Sequence, residues 1–250
     1  MGLMGVSKHN FMFGAVDSAD YNVLVGGDAV YDSPPRDVEQ VEVPGRNGTI
    51  TIDHGRFDNY ELSYQTYIYV GGLHLFSETV NRFRNALASQ KGYQRLWDSF
   101  NPGQYRLAQF VNGFDAKPMM NNTVAELELK FNCKPQRFLL SGDESIDWTS
   151  SGTLENPTPF EALPNLLVYG SGQLTIEGNT ITVGSSQSGI VTIDSELMEC
   201  YERVGGSLVP LNSVVSFSTG EFPVLQPGLN HITLGSGITQ IKIVPHWWVI

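Results

Sequence analysis

The chain has 250 residues, of which 41% are hydrophobic and 16% are charged, and its formal net charge at pH 7 is −11. This length fits one large domain or two ordinary ones, and the low charged content excludes a mainly disordered chain. Only Arg203 and Lys242 are basic within residues 146–250, against nine acidic residues, which argues against nucleic acid or an anionic polymer as a partner of that half.

The first forty residues contain only short extended pieces, at residues 11–14 and 22–25, separated by glycine and proline. We expect an extended arm with little core of its own. No apolar run approaches the roughly 18 residues that a membrane span needs. The first ten residues lack the apolar stretch of a signal peptide. The two cysteines lie far apart and support no disulfide framework, so we expect synthesis inside the cell.

Two turn signals follow in the segment V-E-V-P-G-R-N-G-T-I-T-I-D, which predicts a β-hairpin. Pro44-Gly45 suits the centre of a type II turn, since proline fixes φ near −65° and glycine accepts a positive φ. Asn47-Gly48 predicts a type I′ turn. Arg46, between them, is either a solvated loop residue or a contact that fixes the loop, with Pro44, Gly45 and Gly48, against a partner.

A long strand is predicted at residues 60–70. Alternation places Tyr64 on one face, together with four smaller side chains, and Tyr67 and Tyr69 on the other face. Both faces are therefore partly apolar. Because tyrosine is enriched in protein interfaces, the three tyrosines are candidates for contact with another subunit.

One helix is predicted at residues 78–90, with Ser77 as its N-cap. Its apolar side chains recur at spacings of three and four, at Val80, Phe83 and Leu87, and indicate the side that packs on a sheet. Arginine and asparagine side chains face away from that side.

Further strands follow the helix. Residues 94–98 and 105–111 flank an Asn-Pro-Gly turn and predict a second hairpin. Residues 123–134 alternate most regularly in the chain and end, by this interpretation, before Pro135. Cys133 falls on the apolar face of that strand, so we expect it to be buried and inert as a thiol.

Residues 141–164 are rich in serine, threonine, proline and acids and lack periodicity, which is typical of a linker. We place a domain boundary near Ser150 and expect domains at residues 1–150 and 151–250. From residue 163 onward, about eight short strands separated by turns predict a β-sandwich or jelly roll. The expected fold class is therefore mainly β with one helix.

The sequence offers no constellation for catalysis, a cofactor or a metal. The five histidines lack the spacing of metal ligands, and no nucleotide-binding or nucleophile motif occurs. Asp143, Glu144 and Asp147 form an acidic cluster that we interpret as a solvated stretch. Trp247 and Trp248 could form a platform for stacking on sugars, but adjacent strand residues face opposite ways, so one of them should lie in the core.

The most specific pattern lies near the C-terminus, where G-E-F-P-V-L-Q-P-G-L-N-H-I-T-L precedes I-K-I-V-P-H-W-W. This segment resembles the closing segment of the distal tail proteins of long-tailed, non-contractile bacteriophages that infect Gram-positive hosts. Other short motifs agree with that family in the same order along the chain: residues 11–14, Ser18, Y-N-V at 21–23, V-P-G-R-N-G at 43–48 and F-N-C-K-P at 131–135.

The resemblance implies a structural protein of the virion, made in the host cytoplasm and not an enzyme. Family members form a homohexameric ring at the distal end of the tail. The ring is built by a β-sandwich-like N-terminal domain with one helix and a β-hairpin, and a galectin-like C-terminal sandwich projects outward. It joins the tail tube protein to the tail-associated hub protein and carries receptor-binding and other baseplate proteins for host attachment. The resemblance implies no cofactor.

Two alternatives stay open from the sequence. A carbohydrate-binding module would need an exposed aromatic platform on a sheet face, such as the tryptophan pair could supply. An accessory or catalytic chain of a glycoside hydrolase would need a pair of carboxylic acids held close together in a cleft.

Overall fold

The structure is a computed structural model that describes residues 9–26, 31–70 and 72–250. Within these ranges the fold is mainly β, with one α-helix, as predicted. The chain divides into two compact units, one of residues up to Arg137 together with Ile250, and one formed by Phe138–Val249. The sequence-based boundary near Ser150 falls inside the second unit.

The first unit is built around one large sheet. Its main strand order is β2-β1-β7-β8-β10-β6-β3, and β9 also pairs with β10, while β4 and β5 form a separate two-stranded sheet. The elements are β1 (Phe11–Phe13), β2 (Val16–Asp17), β3 (Val23–Val25), β4 (Arg36–Glu42), β5 (Thr49–Phe57), β6 (Tyr60–Tyr69), α1 (Phe76–Ser89), β7 (Gln94–Asp98), β8 (Gln104–Gln109), β9 (Ala116–Met119) and β10 (Val124–Leu139).

The start of the described chain belongs to the core of this unit, so the prediction of an extended arm is wrong for residues 9–25. Phe11 and Phe13 are fully buried, because β1 pairs with β7 and directs both rings to the same inner face. The hydroxyl of Ser18 accepts a hydrogen bond from the Phe11 N–H at 3.0 Å. The earlier part of the predicted arm, residues 1–8, lies outside the described residues.

Helix α1 covers the sheet as predicted, with Val80, Phe83 and Leu87 buried. It starts earlier than predicted, because a 3₁₀ turn at Leu73–Leu75 leads directly into it. Ser77 therefore lies inside the first turn, and the position before the helix carries no side-chain cap. None of the helices in the described ranges is long and apolar enough to cross a membrane.

Strand β10 continues through Pro135, whereas the sequence predicted its end there. Its pairing with β6 stops at Cys133, opposite Tyr60. Proline lacks an N–H for the ladder, and beyond that pair β6 no longer requires one. Cys133 is buried as predicted, and burial raises the pKa of its thiol to about 12.

The second unit is a sandwich of two sheets, ordered β11-β21-β13-β16-β17-β18 and β12-β20-β14-β15-β19. Its strands are β11 (Ile146–Trp148), β12 (Gly152–Asn156), β13 (Asn165–Gly170), β14 (Gly172–Ile176), β15 (Asn179–Val183), β16 (Ile190–Asp194), β17 (Glu199–Val204), β18 (Ser207–Pro210), β19 (Val215–Phe217), β20 (Gly228–Leu234) and β21 (Ile238–Val244). The short strand β22 (Trp248–Val249) follows β21 and belongs to neither of these two sheets.

Aliphatic side chains from both sheets form one core between them, including Leu166, Val191, Ile181 and Ile232. Residues 146–156, predicted as part of a linker, supply β11 and β12, which pair with β21 and β20. Strands this short do not show a readable alternation, so composition alone could not reveal them. Their pairing explains why the second unit begins before Ser150.

Candidate functional site

Strands β4 and β5 form a two-stranded sheet of their own, which we call the exposed hairpin. Every residue of β4 except Asp37, and every residue of β5 except Phe57, is exposed to solvent. A two-stranded hairpin is marginally stable in water without a surface to pack on. This is the least covered regular structure among the described residues of the first unit.

The tip of the exposed hairpin contains the predicted type II turn. The Arg46 N–H donates to the Val43 carbonyl at 3.1 Å, and Gly45 has a φ of +80°. The predicted type I′ turn at Asn47-Gly48 is wrong, because only Gly48 has a positive φ. The side chain of Arg46 is exposed and forms no hydrogen bond or ion pair with the described residues.

One face of the exposed hairpin carries an apolar stripe. Val41 lies directly opposite Ile50, and Ile52 follows on the same face two residues later. These side chains are 36%, 41% and 46% exposed, respectively. Aliphatic side chains exposed side by side on a protruding element indicate a contact surface, since burying them against another surface removes apolar area from water.

Charged pairs hold the base of the exposed hairpin in register. Arg36 Nε lies 2.6 Å from Asp53 Oδ2, and Asp37 contacts His54 Nδ1 at 2.9 Å and Arg56 Nε at 2.6 Å. The pKa of Asp37 is lowered by its hydrogen bonds from His54 and Arg56. The Gly55 N–H and then Arg36 lower the pKa of Asp53. These solvent-exposed pairs orient the two strands rather than supply a catalytic acid or base.

The three candidate tyrosines of β6 are divided between the two faces of the sheet. Tyr64 is 1% exposed and belongs to the core, which corrects its place among the surface candidates. Tyr69 is 47% exposed, and Tyr67 is half-buried against Gly26. The alternation along β6 causes this division, so only Tyr67 and Tyr69 are available for contact with another molecule.

The inward tyrosine belongs to a buried polar network that the sequence did not reveal. The Tyr64 hydroxyl donates to Asp98 Oδ2 at 2.8 Å, and Arg106 Nη1 donates to the same oxygen at 2.9 Å. Arg106 Nε also donates to the Tyr60 hydroxyl at 2.9 Å. Burial acts to raise the pKa of Asp98, but the hydrogen bonds from Tyr64 and Arg106 hold it below its ordinary value.

A polar cleft of about 710 Å³ opens on the outer face of β6 and β10. Lys130 Nζ lies 3.0 Å from Glu61 Oε1, and the Gln65 amide donates to Glu126. Both contacts lie at the surface and give the cleft a mixed charge. The cleft is lined by Val25, Gly26, Ser63, Gln65, Asn112, Gly113, Phe114, Asp115, Lys117, Glu126, Glu128 and Lys130.

The tryptophan pair does not form an open platform. Trp247 is buried in the core of the second unit, as alternation required of one member. The ring of Trp248 stacks on Phe160, with 4.2 Å between centroids, and its Nε1–H donates to the Glu161 carbonyl at 2.8 Å. Trp248 therefore packs against the loop that contains Phe160 and Glu161.

The acidic cluster forms no buried acid pair of the kind a glycosidase requires. Glu144 and Asp147 are exposed, and Asp147 lies 3.5 Å from Lys242 Nζ. Within residues 9–26, 31–70 and 72–250, no group of three or more histidine, cysteine, aspartate or glutamate side chains is arranged to hold a metal ion.

No protein-family model and no curated protein matches this sequence. Several solved structures, in contrast, are similar to this chain. The crystal structure of the Dit protein (gp 19.1) of phage SPP1 superposes with a TM-score of 0.68 at 12% identity, over 94% of this chain and 97% of that chain. That protein is described as a paradigm of the hub adsorption apparatus in phages that infect Gram-positive hosts.

A chain of the phage P2 baseplate, in its activated conformation with calcium, superposes with a TM-score of 0.51 at 9% identity. The match covers 94% of this chain and 97% of that chain. At sequence identities this low, the comparison establishes a shared fold and nothing more. Over nearly its whole length, this chain therefore has the fold of phage Dit and baseplate proteins.

Proposed function

We propose that the protein is a structural subunit of a phage tail tip, in which six copies form a ring at the distal end of the tail. The observation that carries the proposal is the exposed hairpin, with Val41, Ile50 and Ile52 uncovered on one face. The likeness to the SPP1 Dit protein supports the same role, because it extends over both units.

A closed ring repeats one heterologous contact until it closes, so each subunit must offer two different surfaces. The exposed hairpin supplies one surface that protrudes and carries apolar side chains. The outer face of β6, with Tyr67 and Tyr69, is a candidate for the other. We assign both surfaces, and therefore the ring, to the first unit.

The ring joins the tail tube protein on one side to the tail-associated hub protein on the other and carries receptor-binding or other baseplate proteins. The second unit is a galectin-like sandwich. Its net negative charge makes it a poor candidate for the ring interface, since like charges disfavour close packing among six copies. In this role the protein binds and positions other proteins, without a cofactor and without a catalytic step.

The oligomeric state of the full chain tests the proposal. Light scattering on the chain alone at high concentration should give six times the mass of one chain. Electron micrographs should show six-fold rings, either of the chain alone or with the tail tube and hub proteins. A double variant, Ile50→Ser with Ile52→Ser, should remain folded by circular dichroism but lose the rings, because it removes apolar contact area.

A matched control is Leu208→Ser with Val209→Ser, which alters two exposed aliphatic residues on a strand of the second unit. This control should form rings like the unaltered chain. Monomers under every condition, including the presence of both partner proteins, would contradict the hexamer. Intact rings in the Ile50→Ser, Ile52→Ser variant would contradict the role of the exposed hairpin.

A further inference from the structure

The second unit has a cleft on the outer face of its six-stranded sheet, separate from the tryptophan pair. Its volume is about 360 Å³, within the range of small-molecule sites. Side chains from three adjacent strands and one loop line it: Asn165, Leu167, Ser188, Ile190, Thr192, Tyr201 and Arg203.

The register of the sheet brings these side chains together. Leu167 of β13 lies opposite Thr192 of β16, and Thr192 lies opposite Tyr201 of β17. The residues next to them in sequence, such as Val168 and Cys200, are buried in the core. Alternation therefore requires the cleft residues to face outward, where Leu167 and Tyr201 give the floor an apolar, partly aromatic surface.

Polar groups border this apolar floor, and several remain available. The Arg203 guanidinium and the Tyr201 hydroxyl form no hydrogen bond or ion pair with the described residues. Asn165 Nδ2 donates to Asp194 Oδ2 at 2.9 Å, which fixes the amide and leaves its carbonyl oxygen free to accept. The cleft thus combines a ring and an aliphatic side chain with donors from Arg203 and Tyr201 and an acceptor whose position is fixed at Asn165.

Arg203 differs in this respect from the other basic residue of the sandwich. Lys242 Nζ lies 3.5 Å from Asp147, so its charge has a partner within the chain. The Arg203 side chain is exposed, lines the cleft and has no such partner among the residues that the structure describes. A guanidinium is a planar group with five N–H donors and no acceptor, so it can donate hydrogen bonds to several oxygen atoms of one ligand.

We propose that this cleft binds a neutral saccharide. A sugar ring has one face of C–H groups, which packs on an aromatic ring and a leucine, and a rim of hydroxyls, which pair with Arg203, Tyr201 and Asn165. The net charge of −7 over residues 146–250, from two bases and nine acids, favours a neutral ligand over an acidic one. The site rests on the second unit and does not depend on the proposed ring.

Saturation-transfer difference NMR on the full chain tests this site, because it detects ligands that bind with dissociation constants of about 1 mM. The probes are D-glucose, D-galactose, N-acetyl-D-glucosamine and L-rhamnose, with D-glucuronate as the acidic comparison. At least one neutral sugar should receive saturation, and D-glucuronate should receive less than that sugar. Transfer to none of the neutral sugars, or stronger transfer to D-glucuronate, would overturn the proposal.

Variants locate the binding. Tyr201→Ala should weaken it roughly tenfold, a loss of about 1.4 kcal/mol, by removing the ring. Tyr201→Phe keeps the aromatic ring and should retain most of the sugar binding. Arg203→Ala should weaken binding, while the matched control Lys91→Ala, at an exposed basic residue of the first unit, should not. Equal binding by Tyr201→Ala and the unaltered chain would place the sugar elsewhere. Light scattering on the same samples reports the ring independently, so either proposal can fail alone.

Discussion

Tyr64 and Asp98 are joined by a hydrogen bond of 2.8 Å inside the core of the first unit, between β6 and β7. Arg106 completes the group from β8, and both charged side chains are 3% exposed. Burial of a charge is tolerated only when a partner and hydrogen bonds compensate it. The group therefore joins β6, β7 and β8 through directional contacts inside the core.

Replacing Asp98 by asparagine should destabilise the first unit strongly. The variant keeps the shape but leaves Arg106 buried without a counter-charge, and breaking such a pair costs about 3–5 kcal/mol. Urea unfolding measures this loss. The matched control Asp20→Asn changes an exposed acid and should stay within about 0.5 kcal/mol. A small loss in Asp98→Asn would show that the pair contributes little to stability.

The contribution of Asp98 should also depend on pH in one direction. Its pKa is lower in the folded chain than in the unfolded chain, so protonation favours unfolding. The contribution is complete above the unfolded value of about 3.9 and is lost as the pH falls through the folded pKa. The gap in unfolding free energy between the unaltered chain and Asp98→Asn should thus narrow only below about pH 4. A gap that is constant down to pH 2 would contradict this assignment.

Arg46→Ala should affect assembly and leave the stability of one chain nearly unchanged. Arg46 lies on an exposed turn whose shape depends on Pro44 and Gly45, and surface substitutions usually change stability by less than about 0.5 kcal/mol. The melting temperature should shift by no more than a few degrees, while light scattering shows weaker rings. Arg46→Lys keeps the charge, so its ring formation should be weaker than that of the unaltered chain but stronger than that of Arg46→Ala. Equal losses of stability and assembly would show that Arg46 supports the fold itself.

Both cysteines should resist modification in the folded chain. Cys133 and Cys200 are free and buried, and burial raises their thiol pKa values to about 12 and about 11. The thiolate is the reactive form, so an aromatic disulfide reagent should react slowly with the native protein and quickly in guanidinium chloride. Rapid reaction of either cysteine under native conditions would mean that its unit opens readily.

The sequence predicted the elements whose patterns are long and regular. The inner face of α1, with Val80, Phe83 and Leu87, and the alternation of β10 both appear as expected. The type II turn was also predictable, because Pro44 and Gly45 meet its two conformational requirements locally. These features depend on residues close together in the chain.

The features that the sequence did not predict depend on contacts between residues that are distant in the chain. Phe11 and Phe13 sit in a piece too short to show a pattern, and only pairing with β7 reveals that they are core residues. Asp98 and Arg106 carry no local signal of a buried ion pair, since each stands among ordinary strand residues. The cleft at Tyr201 and Arg203 was likewise hidden, because it requires the register of three strands.

The order of strands in the second unit has a consequence for biosynthesis. β20 pairs with β12 and β14, and β21 pairs with β11 and β13, so both sheets are joined through strands late in the sequence. Neither sheet can close while residues 228–244 are still inside the ribosome. The strands in the main order of the first sheet and the core residues packed on it all precede residue 140, so that core can form while the second unit is still a nascent chain.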